Sequence, residues 1–412
     1  MNLALVSVAA LALAVLVSCV SRLNVGILAV ALAWIVGVYL GGQTVGAVMG
    51  GFPSQLFLTL AGVTLLFAMA QANGTLPRLT DHAVRICRGN AGTIPVMFFV
   101  LGAALSSMGP GNIATAALLT PIAMATATRA GIPLFLMAIM VGNGANSGAL
   151  SPFAPTGIIV NGLMAKHQMP GLEAQAYFYN LAAHAFVAFG GFALFGGLRL
   201  FAAGRSDVSA ASDHLATAFD RRQWITLGVI AALIVSVLAA GVHVGMAAFV
   251  GAVILVLAGA ADDGEAIKQM PWKVIVMVCG VTVLIALVEK FQGLNLIVSS
   301  VASISTPDTI TGVIALLTGV VSVYSSTSGV VLPAFLPMVP GLAAALPGAS
   351  ASAIAMSMNI GGHLVDVSPL STIGALCMAG ATGADSRKLF MQLLAWGLSM
   401  AVLSALLCYV LF

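Results

Sequence analysis

Charged side chains are scarce in this chain. They make up 7% of its 412 residues, against 60% hydrophobic, whereas a soluble domain carries roughly a quarter. A surface of that composition cannot face water, which excludes a soluble globular protein. Cysteines are few and scattered. Cys19, Cys87, Cys279, Cys377 and Cys408 form no CxxC pair and no cluster with histidine, so neither a disulfide framework nor a metal-thiolate site is expected. The net charge of +3 is too small to point to nucleic acid. Buried charge is also nearly missing. Of twelve acidic residues only Asp366 falls inside an apolar run, and no Lys or Arg falls at the centre of one. A cation antiporter working through several intramembrane carboxylates is thereby excluded.

Long apolar runs are what the chain has instead. Each approaches the ~20 residues that cross a ~30 Å hydrocarbon core as a helix. A β-barrel would show ~10-residue alternating segments. The first run lacks a basic n-region and exceeds a signal-peptide core, and Arg22 follows it, so it reads as a retained first helix. The expected fold is an all-α polytopic membrane protein.

Three motifs recur at one spacing. Asn24-Val25-Gly26 answers His243-Val244-Gly245. Gly62-Val63-Thr64 answers Gly280-Val281-Thr282. Ser151-Pro152 answers Ser368-Pro369. The separations are 219, 218 and 217 residues. Two copies of one unit are expected, over residues 1–204 and 224–412, joined by a polar cytoplasmic linker at 205–223. The predicted spans are 3–22, 24–42, 54–73, 131–165 and 176–199, then 224–241, 243–260, 272–288, 350–381 and 389–411. Apolar stretches broken by Gly, Pro and Ser, about 93–123 and 309–340, read as re-entrant hairpins. Segments 76–88 and 294–304 read as interfacial helices.

Five crossings per unit is an odd number, so the second copy must be inverted. With the termini outside, 13 of the 15 basic residues fall on the inside and only Lys166 and Lys290 outside, a strong positive-inside bias. Fully crossing hairpins would break that agreement.

Irregular backbone at membrane depth must be buried in protein or line a polar cavity. Four segments break helices there: 106–115, 143–157, 324–329 and 359–372. Small residues alone would serve close packing, but paired clusters of Asn, Ser, Thr and Pro in two inverted halves point to a transporter site. Helix starts offer N–H groups and positive dipole ends to an anion, and freed carbonyls with side-chain oxygens suit a hard cation. The substrate candidates are Asn112, Ser151, Thr156, Ser326, Thr327, Ser328, His363, Ser368 and Thr372. The candidates for a coupling cation, Na⁺ in the first instance, are Ser107, Gly111, Asn112, Asn146, Ser325, Ser328 and Asp366. His363 and Asp366, three apart, are neighbours on a helical turn. Either they work at the site or they form a satisfied structural pair. His184, alone in an apolar span, reads as structural.

Gly111-Asn112-Ile113 with the following Ala114–Pro121 run resembles the hairpin-tip Ser-Asn-Thr motif of the divalent anion/sodium symporter family. Ser151–Gly157 and Ser368–Gly374 resemble its Thr-Pro-rich segments, and the first half is most similar to the malonate/dicarboxylate carriers (MatC-like) of the ion transporter superfamily. The resemblance implies an elevator-type homodimer in a bacterial inner membrane, moving a C3 or C4 dicarboxylate with Na⁺. At the second tip it aligns Ser326-Thr327-Ser328. The first tip departs from the motif by lacking its Ser and Thr side chains, which keeps proton coupling open as the alternative. An intramembrane enzyme is a remote rival. His363, Asp366 and Ser368 are its only constellation, and duplication argues against one asymmetric catalytic centre. A passive channel is the third alternative.

Overall fold

The computed structural model describes residues 2–21, 23–86, 90–202, 218–379 and 386–412. Most of the linker expected at 205–223, Arg22 and Arg88 lie outside the described residues. Among the described residues the chain is helical, with no β-strand.

The first half runs α1 (Leu3–Val20), α2 (Val25–Trp34, continued by a π-helical turn Ile35–Leu40), α3 (Val45–Met49), α4 (Ser54–Ala72) and α5 (Thr75–Ile86). Then come α6 (Thr93–Met108), α7 (Gly111–Ala130), α8 (Leu134–Ser147), α9 (Pro155–Lys166), α10 (Glu173–Leu194) and α11 (Gly197–Ala202). The second half runs α12 (Arg221–Ala240), α13 (Val244–Leu257), α14 (Asp263–Gln269), α15 (Trp272–Lys290), α16 (Gly293–Ser303) and α17 (Ile310–Tyr324). A π-helical turn Thr327–Val331 leads into α18 (Leu332–Phe335) and α19 (Val339–Ala345). α20 (Ala351–Leu364), α21 (Thr372–Ala379) and α22 (Ser386–Leu411) complete it.

Every predicted span coincides with a helix or a broken helix, and each predicted hairpin with two helices meeting at a break. One difference concerns the return arms. Gly111–Ala130 and Thr327–Ala345 have 20 and 19 residues, and by length and composition both count among six helices able to cross a membrane. Length alone therefore does not make the hairpins re-entrant.

Two cores organise the packing. One gathers α1, α2, α4, α9, α12, α13, α15, α16, the arm from Val330 to Leu346 and the first part of α20. The other gathers α6, α7, α8, α10, α17 and α22 with the ends of α20 and α21. The first core depends on two helix crossings in which glycines meet backbone to backbone. A Cβ on Gly26 would sit 2.2 Å from the Val276 carbonyl oxygen, and one on Gly280 2.2 Å from that of Gly26. A Cβ on Gly62 would sit 2.3 Å from the Gly245 oxygen, and one on Gly245 2.5 Å from Thr59 Cα. So α2 crosses α15 as α13 crosses α4, with equivalent glycines 219 and 218 residues apart. Close backbone approach of this kind is how apolar helices associate where lipid removes the hydrophobic driving force.

Gly280→Ala is expected to destabilise the detergent-solubilised protein by about 1–3 kcal/mol, the usual cost of overpacking, seen as a lowered thermal unfolding midpoint. Gly46→Ala, whose Cβ meets nothing within 4 Å, should leave the midpoint unchanged.

Candidate functional site

The first break begins where α6 ends. Gly109 takes φ +142°, and a Cβ there would lie 1.9 Å from the Phe67 ring. Gly111, at φ +77°, presses on Pro155, whose Cδ lies 2.8 Å from the position of a Cβ. Only glycine fits a tip held this way between α4 and α9. α7 then starts with Pro110 at its N-cap and no side-chain cap.

Side chains brace this tip against the broken helix α8–α9. Asn112 Nδ2 donates to Asn146 Oδ1 at 2.9 Å, and Thr156 Oγ1 donates to Asn112 Oδ1 at 3.4 Å. Asn180 Nδ2 donates to the Asn146 and Ser147 carbonyls at 2.8 and 3.2 Å. Ser151 Oγ donates to the Ser107 carbonyl at 2.6 Å. Ser107 Oγ donates to the Ala103 carbonyl, so the Tyr177 hydroxyl, 3.0 Å away, donates to Ser107.

The second break is built differently. Ser326 Oγ accepts from the Gly329 N–H at 3.2 Å, capping the π-helical turn. Thr327 Oγ1 donates to Asp366 Oδ1 at 2.6 Å and in turn accepts from Ser322 Oγ. Ser371 Oγ bonds the Asp366 carbonyl and, at 2.7 Å, that of Ser368. His363 Nδ1 donates to the Asn359 carbonyl at 2.9 Å. His184 Nδ1 lies 2.8 Å from Asn143 Oδ1. Asn143 Nδ2 is committed to the Ile139 carbonyl, so the imidazole donates. His184 therefore has a buried partner at Nδ1 and none at Nε2.

One cavity of about 270 Å³ joins the two breaks, lined by Asn112, Thr156 and Ser328. Its other walls are the Gly109–Gly111 tip, the α4 residues Thr64, Phe67 and Gln71, and Gln269 and Pro271 ahead of α15. No lining residue carries a charge. Four helical segments begin at its edge: α7, α9, α15 and the arm from Thr327. α7, α9 and α15 have no side-chain cap. Uncapped helix starts turn N–H groups and positive dipole ends toward whatever lies beyond them. Such a cavity suits a small anion, and its volume lies just below the ~300 Å³ at which pockets for drug-sized ligands begin.

The other candidates stand apart from this cavity. Ser107, Asn146 and Ser151 brace the first break from behind. Ser368 faces α22, where a Cβ on Gly397 would meet its Cβ at 2.7 Å. Thr327 and Asp366 form the buried support of the second break, His363 bonds only the Asn359 carbonyl of its own helix and leaves Nε2 buried without a partner, Ser325 and Ser326 shape the turn, and Thr372 opens α21 at the surface. Sequence reasoning missed Thr64, Gln71 and Gln269, which lie in unbroken helices. Thr64 had a signal, since it belongs to the repeated Gly-Val-Thr motif.

Residues 1–149 match the family model described as the dicarboxylate carrier protein MatC N-terminus. The matched region contains the first hairpin tip that carried the resemblance. Among solved structures, the Alcanivorax borkumensis YdaH transporter, whose crystal structure revealed an unusual topology, aligns over 90% of this chain and 88% of that one, with TM-score 0.60 and 17% identity. That likeness shows a shared fold. No curated protein matches the chain. The chain is thus a helical membrane protein that shares that fold and whose residues 1–149 match the dicarboxylate carrier family model.

Thr327→Val removes the hydroxyl that donates to buried Asp366. A loss of about 1–3 kcal/mol is expected, the cost of orphaning a buried acceptor, while Thr327→Ser keeps the donor and the stability. Thermal unfolding of the three proteins checks this.

Proposed function

We propose that this chain is a secondary active transporter that carries a small dicarboxylate, malonate or a C4 diacid, across the cell inner membrane by symport with cations. The single observation behind this reading is the uncharged cavity where Asn112, Thr156 and Ser328 meet beside four helix starts. The carrier-family match over residues 1–149 favours a dicarboxylate as its occupant.

In this reading the carboxylates accept from the N–H groups at the start of α7 and from the Thr156 N–H at the start of α9, with the side chains of Asn112, Thr156 and Ser328 fixing orientation. Gln71 and Gln269 supply amide donors at the cavity edge. Neutral donors leave the substrate charge uncompensated, so cations must travel with it. Na⁺ is the proposed coupling ion. The oxygen-rich supports at Asn112–Asn146 and at Thr327–Asp366 are its candidate positions, and Asp366 alone among them offers a full negative charge. A proton on that carboxylate is the alternative.

Transport follows as an elevator. The body containing α6–α8, α10, α17 and α20–α22 slides against the body of α1, α2, α4, α13, α15 and α16, and the cavity between the hairpin tip and α4 changes sides. Two inverted units, termini on the outer face, and a homodimer embedded in lipid through the static body complete the proposal.

Two measurements test it. Malonate or succinate at about 100 times its Kd should stabilise the purified protein by about 2.7 kcal/mol through mass action, and Asn112→Ala should weaken the shift. In proteoliposomes, replacing sodium by choline should abolish uptake. Undiminished uptake in choline under a pH gradient would overturn sodium coupling in favour of protons, and no uptake of any diacid under either gradient would overturn the reading itself.

A further inference from the structure

A second cavity, of about 640 Å³, shares walls with the first. Thr59 and Leu56 of α4 line it, as do Ile158 and Asn161 of α9, and it ends at Lys166 and His243. The two cavities thus lie along the same two helices, with Thr64, Pro155 and Thr156 on one side and Thr59, Ile158 and Lys166 on the other.

The walls are also equivalent in the repeat. Pro53, Leu56 and Thr282 line the larger cavity, while Pro271, Val274 and Thr64 line the smaller. Each pair is 218 residues apart. What the larger cavity adds is charge. Lys166 lines it and no acidic residue does; among the described residues Lys166 makes no ion pair, the one ion pair being Lys268–Glu265, and the Glu289 carboxylate that acts on the neighbouring His167 lies outside the cavity wall. The neighbouring His167 adds nothing to the field. Burial holds its imidazole below the ordinary range, with Glu289 opposing and Lys166 reinforcing the shift. α4 and α13 both begin at this cavity, with Pro53 and His243 at their N-caps and no side-chain cap. Asn161 Oδ1 is buried without a hydrogen-bond partner.

We infer that this cavity is a second binding site for small carboxylates, in which Lys166 holds the anion at the starts of α4 and α13 before it passes α9 to the central cavity. The passage step rests on the transport reading, but the binding step does not. A point charge facing helix starts in a concave, acid-free wall concentrates anions from solution. A protonated carboxyl end would find its acceptor in Asn161 Oδ1.

Gly162 provides the reporter. It lines the cavity, and a Cβ there has Leu56 Cδ1 at 3.6 Å as its nearest neighbour, so Gly162→Cys fits. Its thiol is modified with sulfonatoethyl and with trimethylammonioethyl methanethiosulfonate, and the peptide containing position 162 is read by mass spectrometry. The anionic reagent should react severalfold faster than the cationic one. Lys166→Gln should abolish that preference, Lys166→Glu reverse it and Lys166→Arg keep it. Malonate should slow the modification, and sodium chloride of equal ionic strength should not. A preference unaffected by residue 166, or no protection by malonate, overturns the site. Uptake by the unmodified protein is measured alongside. Uptake without protection removes this site alone, whereas protection without uptake upholds it and removes the transport reading.

Discussion

Backbone groups that a helix does not pair must find partners inside the membrane, and the rest of this structure depends on that constraint. Each α-helix start leaves four N–H groups unpaired and each end four carbonyls, and lipid offers nothing to bond them. At the first break the carbonyls are taken by side chains from neighbouring elements: Ser107 by Ser151, Asn146 and Ser147 by Asn180. At the second break, Ser371 takes the carbonyls of Asp366 and Ser368. The N-terminal groups are treated differently. The starts of α7, α9 and α15 have no side-chain cap and face one cavity. Carbonyls are satisfied by protein, and so are some N–H groups, Gly157 by the Ala149 carbonyl, Trp272 by Met270 and Val274 by Pro271, while the start of α7 opens on the cavity. A helix start opening on an uncharged cavity suits an anion.

The two halves carry matched motifs, but their breaks are held by different chemistry. The first break is held by neutral amides, Asn112 on Asn146. The second is held by a carboxylate receiving a hydroxyl chain from Ser322 through Thr327. Matched crossings at Gly26–Gly280 and Gly62–Gly245 give matched geometry. The side chains at the breaks then decide that the halves are not electrostatically equal.

Much of the fold was legible in the sequence, because membrane spans follow from composition and breaks follow from Gly, Pro and Asn. The limits were physical. A Ser, Thr or Asn at a break can satisfy nearby backbone or face a ligand, and sequence does not distinguish the two. Ser151 and Ser368 bond nearby backbone, whereas Asn112, Thr156 and Ser328 line the cavity. Gln71 and Gln269 lie in regular helices and become wall residues only through tertiary packing. The return arms show the converse limit: the cue that suggests re-entry is a break at one end, while 20 and 19 residues of apolar helix satisfy the length of a crossing.

For the proposed transport, the absence of charge in the central cavity sets the energetics. Moving one elementary charge across the membrane costs or yields about 2.3 kcal/mol per 100 mV, so a dianion entering a negative interior faces about twice that. A lysine or arginine fixed in the cavity would bind the dianion, but it would also have to recross the membrane in the empty carrier. Helix starts and amide or hydroxyl donors carry no net charge, so the empty cavity adds no such barrier from its walls. The compensating charge must then come and go with the substrate. Two cations make the loaded carrier neutral, and a third would let the membrane potential drive uptake.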